Sequence, residues 1–312
     1  MKKIIYKKYG NADVLQLIET SIPAISENDI LLRIKAVSIN PLDWKIFKGE
    51  MKMMSGSRFP KGVGIDFAGV IEKIGNSISS FKNGDEVFGI LDAFKGEALA
   101  EYIVVKEGDI VIKPRNISFE QAAASPVVGL SALQILNSLA HVKSGTRVLI
   151  NGATGGIGMF LIQLAKKKGV MVTAVTGSKG IAFAKKWGAD ESIDYKTQNI
   201  FAVDQKYDVV VDLSGKLSFK DSKPLLSPKA IFITTIPGLT TMAGSFLNNL
   251  FSATKYKVLV LKPANDNLRS LARFIADGLD IVVEKVYPIA ASRVAYAEVA
   301  RGGLTGKAVI TV

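Results

Sequence analysis

The chain of 312 residues contains no cysteine and a single histidine, His141. Those absences exclude disulfides, thiolate nucleophiles and metal sites built on thiolates, because each needs sulfur that the inventory does not hold. Proline is limited to 10 residues and no low-complexity tract is present, so 48% hydrophobic against 22% charged residues describes a folded chain with a sizeable core. Apolar stretches of membrane-spanning length are missing as well, since the long ones are broken by Lys, Asp or Gly. The opening MKKIIYKKYG carries positive charge without the apolar stretch of a signal peptide. A cytoplasmic protein without stable membrane insertion is expected.

Acidic residues are in deficit, with 28 Asp and Glu against 40 Lys and Arg and a net charge of +12. Such a balance admits nucleic acid, an anionic membrane surface or an anionic small ligand. No cationic block is longer than Lys166-Lys167-Lys168, so the charge reads as a solvated basic surface, and no nucleic-acid partner is expected.

The length exceeds what one hydrophobic core usually serves, and two domains are expected. Residues 1–118 carry short apolar runs punctuated by Gly, Asn, Asp and Ser, among them DILLRIKAVSI, FAGVIEKIG, DEVFGIL and AEYIVVKEGDIVIKP, which are strand signals. Over 119–261 helical stretches alternate with the apolar runs RVLIN, VMVTAV, DVVVDL, AIFITT and KVLVL. Strands apolar on both faces between helices imply an α/β fold, a doubly wound parallel sheet of Rossmann type. Residues 262–312 return to the grammar of the first segment, with the amphipathic NLRSLARFIADGL and then DIVVEKVYPI and GKAVITV, and are expected to complete that domain.

Asn151 to Gly158, NGATGGIG, lies between the strand candidate RVLIN and a helix face formed by Ile157, Phe160, Leu161 and Leu164. A glycine-rich strand-to-helix turn leaves N–H groups free and lets backbone approach a pyrophosphate. Here Ala153 stands where the usual fingerprint has its first glycine. The following strand ends in Thr176, Gly177, Ser178 and Lys179, with no acid to accept from an NAD ribose. Ser178 and Lys179 therefore suit a 2′-phosphate and NADP(H), although Lys179 can equally be an exposed lysine opening the next helix.

In sequence order, YGNADVLQL, AVSINPLDWKIFKG, GVGIDFAGVIEKIGNSISSFKNGDEVFG, NGATGGIG, KKWGADESIDY and LTGKAVITV resemble the zinc-independent quinone oxidoreductases related to zeta-crystallin, within the medium-chain dehydrogenase/reductase superfamily. The resemblance implies a GroES-like β-barrel catalytic domain interrupted by the Rossmann domain, with the cofactor in the cleft between them. It also implies a homodimer through an edge strand of the Rossmann sheet, for which KVLVL is the candidate. By the same resemblance Ala153, Thr154, Gly155, Gly156, Ile157 and Gly158 wrap the pyrophosphate, and Tyr195 joins Ser178 and Lys179 near the 2′-phosphate. Ser214, Gly215, Ile236 and Pro237 follow later strand ends, and Ser131 stands near the nicotinamide. Tyr195 can alternatively be a strand-end tyrosine packed on the sheet.

Asn40 is the catalytic-side candidate that the resemblance points to, with Asp43, Trp44 and Met51 in the substrate pocket; Asn-Pro can also simply start a turn, and Trp44 can belong to the barrel core. Enoyl-thioester reductases of the superfamily carry tyrosine where this chain has Met51, and Met51, Met53 and Met54 suggest an apolar substrate lid. With no cysteine, and with the single histidine, His141, in the cofactor-binding half, neither zinc site of the zinc-dependent relatives can be assembled. The expected reaction is hydride transfer from NADPH to a quinone or α,β-unsaturated carbonyl compound, with positioning supplied by the protein. A non-catalytic NADPH-binding redox sensor or RNA-binding protein is the alternative.

Overall fold

The computed structural model describes residues 1–202, 204–236 and 238–312. It divides into two compact units, residues 1–127 with 263–312 and residues 128–262. The first unit begins with β1 (Lys2–Tyr6), β2 (Gln16–Glu19), β3 (Ile30–Ser38), β4 (Lys61–Gly62), β5 (Asp66–Ile74), β6 (Glu86–Ile90), β7 (Tyr102–Val105) and β8 (Ile110–Ile112). All the strand signals of 1–118 are realised. The strand β3 is buried along most of its length because it pairs antiparallel with β5 and β7 and so is covered on both edges. A smaller sheet, β2-β1-β4, joins it in enclosing a core that includes Tyr6, Leu32, Phe67 and Ile103.

The second unit contains β9 (Arg147–Asn151), β10 (Met171–Thr176), β11 (Glu191–Asp194), β12 (Tyr207–Asp212), β13 (Leu226–Thr234) and β14 (Lys255–Val258). These pair in parallel in the order β11-β10-β9-β12-β13-β14, the doubly wound arrangement. The strand β11 is absent from the apolar runs read in the sequence, since its four residues ESID include two carboxylates. The edge strand β14 starts two residues before KVLVL and ends at Val258, after which Leu259 N still donates to Thr234 O at 2.8 Å.

The chain then returns to the first unit as the helix Asn265–Ala276, with Leu268, Leu271 and Ile275 buried, and as β15 (Val283–Pro288) and β16 (Lys307–Thr311). The strand β16 pairs with β15 and, antiparallel, with β3, so the end of the sequence lies in the same sheet as residues 30–38. The division falls at 127/128 rather than 118/119, and at 262/263 rather than 261/262. The helix Phe119–Ala123, capped by Ser118 Oγ accepting from Gln121 N at 3.2 Å, belongs to the first unit, where Gln121 Nε2 donates to Ile281 O at 3.0 Å. Helical grammar at 119 marks one helix laid on the first sheet, not the crossing into the second unit.

The helix Gly156–Lys167 follows β9, and the chain turns away from it at Gly169, just past the C-cap Lys168, with φ 71°. Its close packing on the preceding turn depends on Gly158, where a Cβ would lie 2.2 Å from Ala153 O. Gly158→Ala must therefore displace backbone, and we expect a loss of about 1–3 kcal/mol in urea unfolding. Unchanged stability would show that the turn yields freely.

Candidate functional site

Sheet order reverses between β9 and β12, and their carboxyl ends open the crevice in which doubly wound sheets hold ligands. Asp212 closes β12 as a buried carboxylate, accepting from Asn151 Nδ2 at 2.9 Å and from Ser214 Oγ at 2.8 Å. Asn151 Nδ2 also donates to Ser214 Oγ at 2.9 Å, so the ends of the two strands are clamped side by side.

Within the turn, Gly152 takes the left-handed conformation at φ 84°, and its N–H and that of Ala153 both donate to Val175 O at 3.0 Å. The conformational demand that the usual fingerprint places on its first glycine is met one residue earlier, and Ala153 is simply buried. A Cβ on Gly155 would meet nothing nearer than 3.5 Å, so the face of the turn is open. Gly156, Ile157 and Gly158 are the first residues of the helix, where N–H groups have no intrahelical acceptor. Thr154 is buried with its hydroxyl 2.5 Å from that of Thr176. Gly180, not foreseen, lets the next turn lie on this threonine pair, since a Cβ there would come within 2.1 Å of Thr176 Oγ1.

At the ends of β10 and β11, Ser178 and Lys179 are exposed and Tyr195 is 60% exposed. The Tyr195 hydroxyl reaches to 3.2 Å from where a Cβ on Gly177 would be, with Lys196 Cε at 3.6 Å from the same point. Asp194, aligned with Thr176 across the sheet, accepts from Ser178 and from Lys196 N, and these bonds hold its carboxyl below the usual range. The acid missing from β10 is thus present on its neighbour, with the Lys196 charge beside it. Ser214, Gly215 and Ile236 also gather at this edge, where Ile236 Cδ1 occupies the space a Gly215 side chain would need. Ser131 is buried on the helix Pro126–Gln134, and Pro237 lies outside the described residues. A cavity of ≈ 420 Å³ opens beside Asn151, Val175, Tyr195, Phe201 and Leu217.

In the first unit, Asn40 is 1% exposed and caps the helix Pro41–Phe47, its N–H donating to Asp43 Oδ2 at 2.9 Å. Its amide is engaged at both ends: Nδ2 donates to Asp66 Oδ2 at 3.0 Å, and Oδ1 accepts from Lys307 Nζ at 2.6 Å. Lys307 also donates to Ile39 O at 2.7 Å, Tyr296 to Asp43 Oδ2 at 3.1 Å, and Val127 N to Asp66 Oδ1 at 3.1 Å. Burial pushes Asp43 up to about 6 and Asp66 up to about 7, against the opposing pull of Lys307, whose own value burial lowers. Lys307 and Tyr296 were not singled out in the sequence; an isolated lysine before AVIT carries no signal that it will be buried.

Trp44 is half-buried against the core of this unit. Met51 precedes the short helix Lys52–Ser55, and Met53 is 93% exposed. Tyr9 ties this segment down through its hydroxyl, which lies 3.0 Å from Ser55 Oγ and donates to Gly56 O.

Residues 26–115 match the alcohol dehydrogenase GroES-like domain family, and residues 187–310 the zinc-binding dehydrogenase family. Over 322 residues the chain is 35% identical to the chloroplastic quinone-oxidoreductase homolog of Spinacia oleracea, covering 99% of this chain and 98% of that one. It is 36% identical to the chloroplastic NADPH-dependent alkenal/one oxidoreductase of Arabidopsis thaliana over 69% of this chain and 58% of that protein. The solved quinone oxidoreductase from Coxiella burnetii is 30% identical and aligns over 100% of this chain and 99% of its own with a TM-score of 0.89. The chain belongs to the quinone oxidoreductase family of medium-chain dehydrogenases/reductases. For a member of a superfamily that also includes zinc enzymes, the polar cluster of the first unit matters, because Asp43 and Asp66 are the buried carboxylates closest to Asn40. Both oxygens of Asp66 and the Oδ2 of Asp43 are already taken by Asn40, Tyr296 and Val127, with the Lys307 ammonium supplying the local positive charge.

An acid whose pKa is higher folded than unfolded binds its proton more tightly when folded. Asp43 and Asp66 therefore add stability that is full below about pH 4 and is lost as pH rises through about 6 and about 7. Asp66→Asn is expected to flatten that decline in denaturation midpoints measured between pH 4 and 8. Lys307→Met, which strands both carboxylates, is expected to cost about 3–5 kcal/mol at neutral pH and less in acid. A cost independent of pH would contradict this charge assignment.

Proposed function

We propose that this protein transfers hydride from NADPH to quinones or α,β-unsaturated carbonyl compounds without zinc. The observation that carries the reading is the open glycine turn at the sheet's switch point, flanked by a ribose end with Lys179, Tyr195 and Lys196. The N–H groups of Gly156, Ile157 and Gly158 suit a pyrophosphate, and the cavity beside Tyr195, Phe201 and Leu217 suits the adenosine half. Lys179 and Lys196 offset the Asp194 carboxylate and favour a 2′-phosphate. The NADPH in the Arabidopsis relative's name agrees with this cofactor.

When bound, the nicotinamide supplies the hydride. The chain's own residues bind, orient and exclude water. Quinones and enones need no metal, because conjugation spreads the developing negative charge and water can deliver the proton. The donor set also argues against zinc: cysteine is absent, and His141 is exposed and ends a helix of the second unit at φ 49°. Asn40 acts in this reading as a rigid amide whose orientation Lys307 and Asp66 hold.

A matrix of NADPH and NADH against benzoquinone and simple enones, with and without a chelator, tests the proposal. NADPH oxidation unaffected by the chelator is expected; no turnover with any acceptor would favour the redox-sensor or RNA-binding alternative. Loss of one charge-assisted contact is worth about tenfold in affinity, so Lys179→Ala should raise the NADPH Kd by about that factor in fluorescence titration and leave NADH unchanged. Equal weakening of both cofactors would remove Lys179 from the 2′-phosphate site.

A further inference from the structure

In NAD-binding sheets of this type an acid at the end of the second strand accepts from the adenosine ribose. Here the acid stands one strand away and acts on a serine. Asp194 closes β11 in register with Thr176, the last residue of β10, and Tyr195 N donates to Thr176 O at 3.1 Å, so the two strand ends stay side by side. Lys196 N donates to Asp194 Oδ1 at 3.0 Å and Asp194 N to Gln198 Oε1 at 2.9 Å, which fixes the turn that carries the carboxylate. Its other partner is the side chain of Ser178, two residues past the end of β10. These bonds hold the Asp194 carboxyl below the usual range, so it is ionised at neutral pH.

An ionised carboxylate can only accept, and a serine hydroxyl has a single hydrogen. Ser178 therefore gives that hydrogen to Asp194 and has only lone pairs left for a ligand. A ribose 2′-hydroxyl can donate to those lone pairs. The dianion of a 2′-phosphate, the main form above about pH 6, has no hydrogen to give and meets them with lone pairs of its own. We propose that Asp194, acting through Ser178, is a positioning residue that lets this protein take NADH as well as NADPH. The proposal rests on the reading of the glycine turn as a nicotinamide dinucleotide site. The ribose end then carries two opposed preferences: the ammonium groups of Lys179 and Lys196 favour the phosphate, and the Ser178–Asp194 pair favours the hydroxyl. Neither preference excludes the other cofactor, because the Lys196 charge beside Asp194 offsets part of the carboxylate.

Fluorescence titration of the full chain with NADPH, NADH and the NADH analogue lacking the adenosine 2′-hydroxyl tests this without any acceptor. In Ser178→Ala, NADH is expected to bind about fivefold more weakly, while NADPH holds or tightens and the deoxy analogue is unchanged. Asp194→Asn keeps an oxygen for the Lys196 N–H but frees the serine hydrogen, and NADPH should tighten about tenfold. The ratio of the NADH Kd to the NADPH Kd thus rises in both variants, which a merely structural role would not produce. A serine that donates to the phosphate gives the reverse in Ser178→Ala, NADPH weakened and NADH untouched, and that result overturns the proposal. So does an unmoved ratio in Ser178→Ala, an exposed position whose folding the melting temperature checks, or an unmodified protein that binds NADPH but no NADH. Each of these sinks this inference alone. Binding of neither dinucleotide sinks the proposed function and this inference with it.

Discussion

Burial of the Lys307 ammonium is the constraint on which the first unit depends. It draws the last strand, the end of β3, the start of β5 and the turn at Asn40 to one point. An ammonium removed from water must find acceptors, and here they come from residues far apart in sequence. The backbone carbonyl of Ile39 and the Asn40 amide can satisfy it only if β16 lies beside β3 in the observed register, with Val309 opposite Ser38. A hydrophobic residue at 307 could be buried without that demand. The cluster thus gives the returning tail a specific seat rather than merely an apolar one.

The second unit solves a different problem, that of keeping polar groups at strand ends without closing the crevice. Asp212 collects the donors of Asn151 and Ser214 from two strands, so the carboxyl ends of β9 and β12 stay level. Three glycines then act separately: Gly152 turns the chain, Gly155 leaves its face open, and Gly158 brings the helix down. Ala153 is tolerated because the positive φ belongs to Gly152. What looks like a degraded motif in the sequence is a shifted division of labour among neighbouring residues.

Most of the architecture was legible because strand runs apolar on both faces have few other homes. The short strand β11 was not, since ESID has no apolar run and owes its place to pairing with β10. The helix Phe119–Ala123 was read into the wrong unit, because periodicity shows that a helix exists but not which sheet covers it. At the site, the glycine turn was visible through its own composition. Lys307, Tyr296 and Asp212 were hidden, because a buried polar residue is identified by its partners, and these lie up to 268 residues away along the chain.

The same limit governs the reading of charge. Along the sequence the excess of lysine and arginine is dispersed, which suggested a solvated basic surface. Dispersal in sequence does not entail dispersal in space: folding brings Lys179 and Lys196 to neighbouring strand ends, and Arg58, Lys61 and Lys95 to one cavity wall. The nearby acids have further partners, Asp194 in Ser178 and the Lys196 N–H besides the Lys196 charge, and Glu97 in Lys3 and Gly62, so they offset these cations only in part. The surplus charge therefore remains available to a ligand instead of being spent within the fold. Positive charge dispersed along the sequence is thereby gathered at particular places in each unit, and a net charge of +12 does not report where it acts.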